Sequence, residues 1–374
     1  MKRIPQLDGI RGLAILLILI WHYYVFLPAP GSINSFIKKF FILTWCGVDL
    51  FFVLSGFLIG GILLDNKSAK NYYYTFYFRR ICRILPIYFI LLFFFFAIYQ
   101  TGIWKSNPPL SWLFNNPLPL WSYITFTQNF FVIKTGSFGA NGLGVTWSLA
   151  IEEQFYLILP FLIKLMSYSR LPIIIISLII FAPLFRIILL LLLPTGAYAG
   201  FVLLPSRMDA LFLGVLGAWM LRQKNILHLL NKRWLVYAAT LIFGSIIPLL
   251  IYLYNKPGPT ASLLTITIGL TFLAAFFLCL ILLGVTGNDS IVKKLLNFRP
   301  LRGLGRISYF VYLFHLIFLG LSHILILNQT PQNMNLLCGI VTIFALITTL
   351  TLATISWFII EKPFIKYGHR TEYM

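Results

Sequence analysis

The chain has 374 residues, of which 60% are hydrophobic, 17% aromatic and only 10% charged, with a mean hydropathy of +0.91. A soluble fold cannot hide that much apolar surface, and because a membrane-crossing helix takes about 20 residues, the apolar content suffices for roughly ten of them. Lys and Arg outnumber Asp and Glu by 29 to 9, a net charge of +20. In a soluble chain that excess would suggest nucleic acid; here it first suggests loops that face anionic lipid headgroups, without a nucleic-acid partner.

In chain order, Met1, Lys2 and Arg3 before an apolar stretch imitate a secretory signal. Arg11 and His22 inside that stretch, with Pro28 and Pro30 around Ala29, argue against cleavage, so residues 10–28 read as a retained first span. Further apolar runs lie at 40–64, 84–100, 145–166, 171–193, 206–221, 234–254, 262–284, 305–327 and 336–360. The expected fold is therefore all-α: a polytopic membrane protein of about ten transmembrane helices, forming one membrane-embedded domain over residues 1–374 with no appended soluble domain. Residues 101–144 form the longest segment between spans. They carry two charges and the tryptophans Trp104, Trp112 and Trp121, and within them 117–131 reads as an interfacial or re-entrant piece that would lie as a lid over the outer face.

With the N-terminus inside, twenty-two of the 29 basic residues fall on the cytoplasmic side. The seven outside are Lys38, Lys39, Lys105, Lys134, Arg186, Arg207 and Lys256. This bias places both termini in the cytoplasm. The four cysteines, Cys46, Cys82, Cys279 and Cys338, are widely spaced and form no C-x-x-C pair; they read as packing residues.

Ionisable groups inside spans are costly, which makes them candidates for a site. Arg11 and His22 are eleven positions apart, which brings them within about 20° on the helix wheel and about 16 Å along its axis. One face then carries a guanidinium near the cytoplasm and an imidazole deeper in, a spacing that suits acyl-coenzyme A, with its phosphate head and long arm ending in a thioester. The plainer alternative is that Arg11 snorkels to headgroups and His22 bonds another helix. Asp49 in the second span has a depth comparable to His22 and is a candidate to orient it as a general base; otherwise it pairs with a cation. Arg79, Arg80 and Arg83 precede the third span. They either contact lipid phosphate or bind the phosphates of coenzyme A. Glu152 and Glu153 point about 100° apart, so one is free to neutralise a buried arginine such as Arg207 while the other lines a cavity. Arg207 and Asp209 equally read as a structural ion pair. His315 and His323 are out of line on their helix, which argues against a metal site made by that pair, and no metal is expected. There is no G-x-S-x-G, H-E-x-x-H, P-loop or G-x-G-x-x-G motif.

Seven ordered blocks carry a resemblance: LDGIRGLAILLILIWHYY (7–24), GVDLFFVLSGFLIGGILL (47–64), FRRICRILPIY (78–88), TWSLAIEEQFYLILP (146–160), RMDALFLGVLGA (207–218), LGRISYFVYLFH (304–315) and IEKPF (360–364). Together, over nearly the whole chain, they resemble the bacterial acyltransferase family 3, integral membrane enzymes that O-acylate surface carbohydrates. The resemblance implies that Arg11 and His22, which match the family's Arg, ten residues, His pattern, are important for activity. It also implies acyl-CoA, most commonly acetyl-CoA, as a cytoplasmic donor substrate, with no permanently bound cofactor. The acceptor it implies is a hydroxyl of a glycan or lipid-linked sugar, such as a lipopolysaccharide O-antigen. Asp49, Arg79, Arg80, Arg83, Trp147, Glu152, Glu153, Arg207 and Asp209 occupy matching motif positions, and His315 closes the sixth block. The expected protein is a multi-pass O-acetyltransferase of the bacterial cytoplasmic (inner) membrane, with Arg11 and the Arg79 group on the donor and His22, oriented by Asp49, as base. Competing readings are a glycan or lipid transporter or flippase and a non-catalytic membrane scaffold. The oligomeric state is not fixed by the sequence.

Overall fold

A computed structural model describes residues 4–255, 263–286 and 291–374; Lys2, Arg3 and Lys256 of the charge count, and the first residue of the run at 262–284, lie outside the described residues. The chain is an all-α polytopic membrane protein, with no strand among the described residues. Helix α1 (Pro5–Ile20) runs into a single π turn, Trp21–Val25. There follow α2 (Ser32–Phe41), α3 (Gly47–Asp65), α4 (Tyr72–Thr101), α5 (Thr146–Leu165), α6 (Leu171–Leu192) and α7 (Leu204–Met220). After these come α8 (Arg233–Gly244), α9 (Ile246–Tyr254), α10 (Leu270–Val285), α11 (Arg299–Arg306), α12 (Ser308–Leu327), α13 (Leu336–Ser356) and α14 (Lys362–Gly368).

Nine helical stretches among the described residues are long and apolar enough to cross a bilayer. The remaining expected span corresponds to α5, whose paired carboxylates Glu152 and Glu153, with Gln154 and Lys164, keep it out of that set. Several boundaries move, the second span beginning at Ile33 and the sixth at Gly196, and two of the shifts bear on the candidate site. The third span begins at Tyr72 instead of 84, so the three arginines expected before it lie on its first turns. The last continues through a π turn to Gly368. Residues 101–144 hold a 3-10 turn, Ile103–Lys105, and short helices, Pro108–Phe114, Leu120–Ile124, Gln128–Thr135 and Asn141–Gly144, all too short to span.

The chain groups into two compact units. The first is built from the chain up to Leu17, Ile42–Lys67 and Ile151–Arg306, the second from Ile18–Phe41, Ser68–Ala150 and Ile307–Met374. In the first unit α3 and α7 cross with almost no separation. A Cβ built on Gly56 would stand 1.9 Å from the Leu211 carbonyl oxygen, and one on Gly214 would stand 2.0 Å from that of Val53. With hydrocarbon outside there is little hydrophobic drive between helices, so small residues that let backbones meet supply the packing. Polar links add to it: Ser55 Oγ and Tyr156 Oη lie 2.5 Å apart, and Lys164 donates to the Lys67 carbonyl at 2.7 Å.

The same unit buries a four-charge network that is neutral in sum. Arg186 donates to Asp209 Oδ2 at 2.8 Å, to the Thr267 carbonyl at 2.7 Å and to the Ser206 carbonyl at 2.6 Å. Thr271 donates to the same Asp209 oxygen at 2.6 Å. Arg207 donates to Asp49 Oδ1, with its guanidinium over the rings of Phe52 and Phe201, 5.4 and 5.2 Å from their centroids. Both arginine side chains have no solvent exposure. Since an unpaired charge in such surroundings is costly, these pairs tie α3, α6, α7 and α10 into one arrangement.

Candidate active site

In the second unit the π turn after α1 presents His22. A π segment widens the helix by one residue per turn, and such turns concentrate at functional sites; here the amide of Phe26 reaches the Trp21 carbonyl at 2.8 Å. His22 is half-buried. Its Nδ1 lies 3.1 Å from the Ile18 carbonyl oxygen and 3.1 Å from Nε2 of His315 on α12, with the two rings 4.7 Å apart and inclined by 59°. His315 is fully buried, and its Nδ1 lies 2.8 Å from the Tyr312 carbonyl and 3.1 Å from that of Val311.

The surroundings hold this pair from several sides. Tyr23, next to His22, donates its hydroxyl to the His315 carbonyl at 2.9 Å and lies 3.1 Å from the Thr349 hydroxyl of α13. Asn333 donates to the Tyr23 carbonyl at 3.0 Å and accepts from Thr342 at 2.8 Å, and Thr342 in turn meets His323 Nε2 at 2.9 Å. Tyr312 bonds the Ser148 hydroxyl and donates to the Val145 carbonyl at 2.9 Å. The neighbouring Trp147 is buried, 6.1 Å from the ring of Phe138.

The expected pairing of His22 with Asp49 is not how these residues are used. Asp49 gives its carboxylate to Arg207, and the ring partner of His22 is another imidazole. The pairings suggested for Arg207 are likewise replaced: it joins Asp49, while Asp209 belongs to Arg186. The reason is electrostatic, because each buried guanidinium draws one carboxylate to itself: Asp49 pairs through Oδ1 and Asp209 through Oδ2. Glu152 and Glu153 are half-buried in the first unit. Arg11, also in that unit, forms a 3.0 Å ion pair with Asp8 one turn earlier.

The three arginines of α4 converge with the segment after α14. Arg79 donates twice to the Thr371 carbonyl, at 3.0 Å from Nε and 2.6 Å from Nη2, and its guanidinium stands 5.0 Å from the centre of the Tyr373 ring. Asn71 holds the same segment through the Glu372 carbonyl at 2.8 Å. Partial desolvation by its neighbours, and after it the charges of Arg79, Arg80 and Arg83, hold the surface-exposed His369 imidazole below its ordinary range. Three cations acting on one ring, with the carboxylate of Glu361 facing Arg83, make a net-positive cluster suited to an anion.

A profile of the acyltransferase domain of family 3 matches residues 4–358. The chain belongs to this family. It is 28% identical, over 99% of its own length and 56% of the relative's, to YrhL of Bacillus subtilis. It is 27% identical to the peptidoglycan O-acetyltransferase OatA of Listeria monocytogenes, over 98% of the chain and 56% of that protein. It is also 27% identical to an O-acetyltransferase OatA of Staphylococcus aureus, over 99% and 58%. The chain thus spans somewhat more than half the length of these relatives. No solved structure matches it. Of the residues around the family's Arg and His pattern, sequence reasoning names His22 and His315 without joining them. It passes over Tyr23, Tyr312, Ser148 and Thr349, although Tyr312 lies three residues before His315 in one of the seven blocks.

Proposed function

We propose that this membrane protein is an O-acetyltransferase that moves an acetyl group from acetyl-CoA to a hydroxyl of a cell-wall or other surface glycan, the donor coming from the cytoplasm. The observation that carries this reading is His22: a half-buried imidazole whose Nδ1 is engaged by Ile18 and His315 while its Nε2 makes no hydrogen bond to a described residue. An imidazole in that state is a general base. His22 Nε2 takes the proton of the acceptor hydroxyl as its oxygen attacks the thioester carbonyl. When the tetrahedral intermediate collapses, the carbon–sulfur bond breaks and the proton passes from His22 to the departing thiolate, so that the products are the acetyl ester and coenzyme A.

On this reading Arg11 and the Arg79, Arg80 and Arg83 cluster bind the donor's phosphates, both termini face the cytoplasm, and the host membrane is the bacterial cytoplasmic membrane. The glycan class is supported by the Listeria relative, a peptidoglycan O-acetyltransferase. The experiment is transfer by the purified protein in lipid nanodiscs, with acetyl-CoA and a soluble peptidoglycan fragment. Free thiol reports donor consumption and mass spectrometry the acetylated glycan. His22→Ala is expected to abolish thiol release and ester formation with insertion unchanged; wild-type turnover by that variant refutes the base assignment. Arg11→Gln is expected to weaken acetyl-CoA binding, and unchanged affinity removes it from the donor site.

A further inference from the structure

The hydrogen-bond pattern around the two imidazoles fixes where their protons are. His315 Nδ1 faces only carbonyl oxygens, those of Tyr312 at 2.8 Å and Val311 at 3.1 Å. A carbonyl accepts and never donates, so Nδ1 carries a proton, and in the neutral ring Nε2 is the lone-pair nitrogen. That Nε2 lies 3.1 Å from His22 Nδ1, which therefore donates, as its second contact, the Ile18 carbonyl at 3.1 Å, also requires. The proton of neutral His22 is then on Nδ1 and its Nε2 presents a lone pair. The order is a chain: carbonyl, His315, His22, open base.

We propose that His315 is a positioning residue that acts through His22, and the proposal rests on the reading of His22 as the base. It does two things. Together with Ile18 it selects the tautomer in which Nε2 can accept a proton. In addition, when His22 becomes an imidazolium on taking the acceptor's proton, its Nδ1 proton, which the Ile18 carbonyl also faces at 3.1 Å, is within hydrogen-bond reach of His315 Nε2, which accepts it or shares it. The positive charge is thereby spread over two rings, and on thiolate departure the proton returns along the same line, leaving both rings as they began. A carbonyl such as Ile18 supplies the first effect but not the second, because it is not a base. Tyr23 keeps the two rings in register by joining the residue beside His22 to the His315 backbone at 2.9 Å. The device needs no carboxylate, consistent with Asp49 being committed to Arg207 and Asp209 to Arg186.

Two measurements test this. The first does not depend on acetyl transfer: nitrogen NMR of the nanodisc-embedded protein carrying 15N-labelled histidine, with the His22 and His315 signals assigned from the spectra of His22→Gln and His315→Gln. Both rings are expected neutral near pH 7.5, each with its proton on Nδ1 and an unprotonated Nε2. A His22 ring protonated on Nε2 overturns the proposal even if the protein is an active acetyltransferase. The second compares His315→Leu and His315→Gln, the amide of Gln being able to accept from His22 Nδ1–H but not to take its proton. Both are expected to lower kcat, by roughly 100-fold for Leu, the lower end of a general acid–base contribution, with KM for acetyl-CoA changed less than about two-fold and the deficit only partly recovered by Gln. Full recovery by Gln, or wild-type kcat in Leu, overturns the shared-proton role. Absence of acetyl transfer in the wild type would instead overturn the proposed function and leave the NMR result to judge the dyad.

Discussion

Asp49 is where a structural and a chemical role make opposite predictions. Its side chain and that of Arg207 are 1% and 0% exposed. Truncating Asp49 to Ala strands a guanidinium whose Nε and Nη1 already have no partner among the described residues, leaving it over the rings of Phe52 and Phe201 with no carboxylate of its own, since the nearby Asp209 is paired with Arg186. Breaking one side of a buried ion pair costs about 3–5 kcal/mol, whereas replacing both partners by apolar groups of similar volume is near neutral or stabilising. Asp49→Ala should therefore lose about 3–5 kcal/mol of stability, and the double variant Asp49→Leu with Arg207→Met should regain most of it. All four cysteines are free and buried, so a thiol-reactive fluorophore reports unfolding in detergent, and acetyl transfer is measured on the same samples at a temperature where each is folded. The double variant is expected to recover turnover along with stability, because a double-mutant cycle isolates a pair whose energy is mutual. A double variant that melts like wild type yet releases no coenzyme A would refute this reasoning and return Asp49 to the chemistry.

Gly214→Ala should destabilise the protein by about 1–3 kcal/mol, the usual cost of overpacking, since its new carbon meets the Val53 backbone oxygen. Gly303→Ala, with nothing within 4 Å of the added carbon, is the control, and equal melting temperatures for the two would disprove the close crossing of α3 and α7. At the Arg79 cluster, His369 is held below its ordinary value in the free protein and is neutral at pH 7. An anion seated among Arg79, Arg80 and Arg83 would counter their charge and raise the proton affinity of the ring, so binding takes up a proton. Coenzyme A should accordingly bind more tightly as pH falls from about 7.5 to about 6, measured by calorimetry, with the slope reduced in His369→Gln; the same slope in both proteins, or weaker binding at low pH in the wild type, excludes His369 from that site.

The helices are readable because hydropathy alone decides what a bilayer accepts, and α5 is readable in spite of its glutamates because its apolar residues flank them. The start of α4 is harder. Its first turns, Tyr72 to Arg83, are aromatic and basic instead of aliphatic, so a search for apolar runs begins the span too late. The partners of buried charges are not readable at all. Depth along two helices allows Asp49 to meet His22, but depth is one coordinate of three, and rotation about the helix axis decides which neighbour a side chain faces. His315 illustrates the same limit: its distance from His22 is 293 positions in sequence, and no periodicity links them.

The choice of partner for His22 follows from the medium. In water a carboxylate beside an imidazole is the common way to stabilise an imidazolium, as in hydrolytic triads. Within a membrane that carboxylate would be an isolated anion through every resting interval between turnovers, and an unpaired buried charge costs several kcal/mol. Asp49 and Asp209 are each permanently matched to an arginine, so their charge is cancelled at all times. On the proposed reading, a histidine partner carries no charge at rest and would share one only while His22 holds the acceptor's proton. Its cost is therefore confined to the transition state and the imidazolium that follows it. On that reading, two neutral rings oriented by backbone carbonyls would give a base whose electrostatic demand arises only when the reaction supplies the proton.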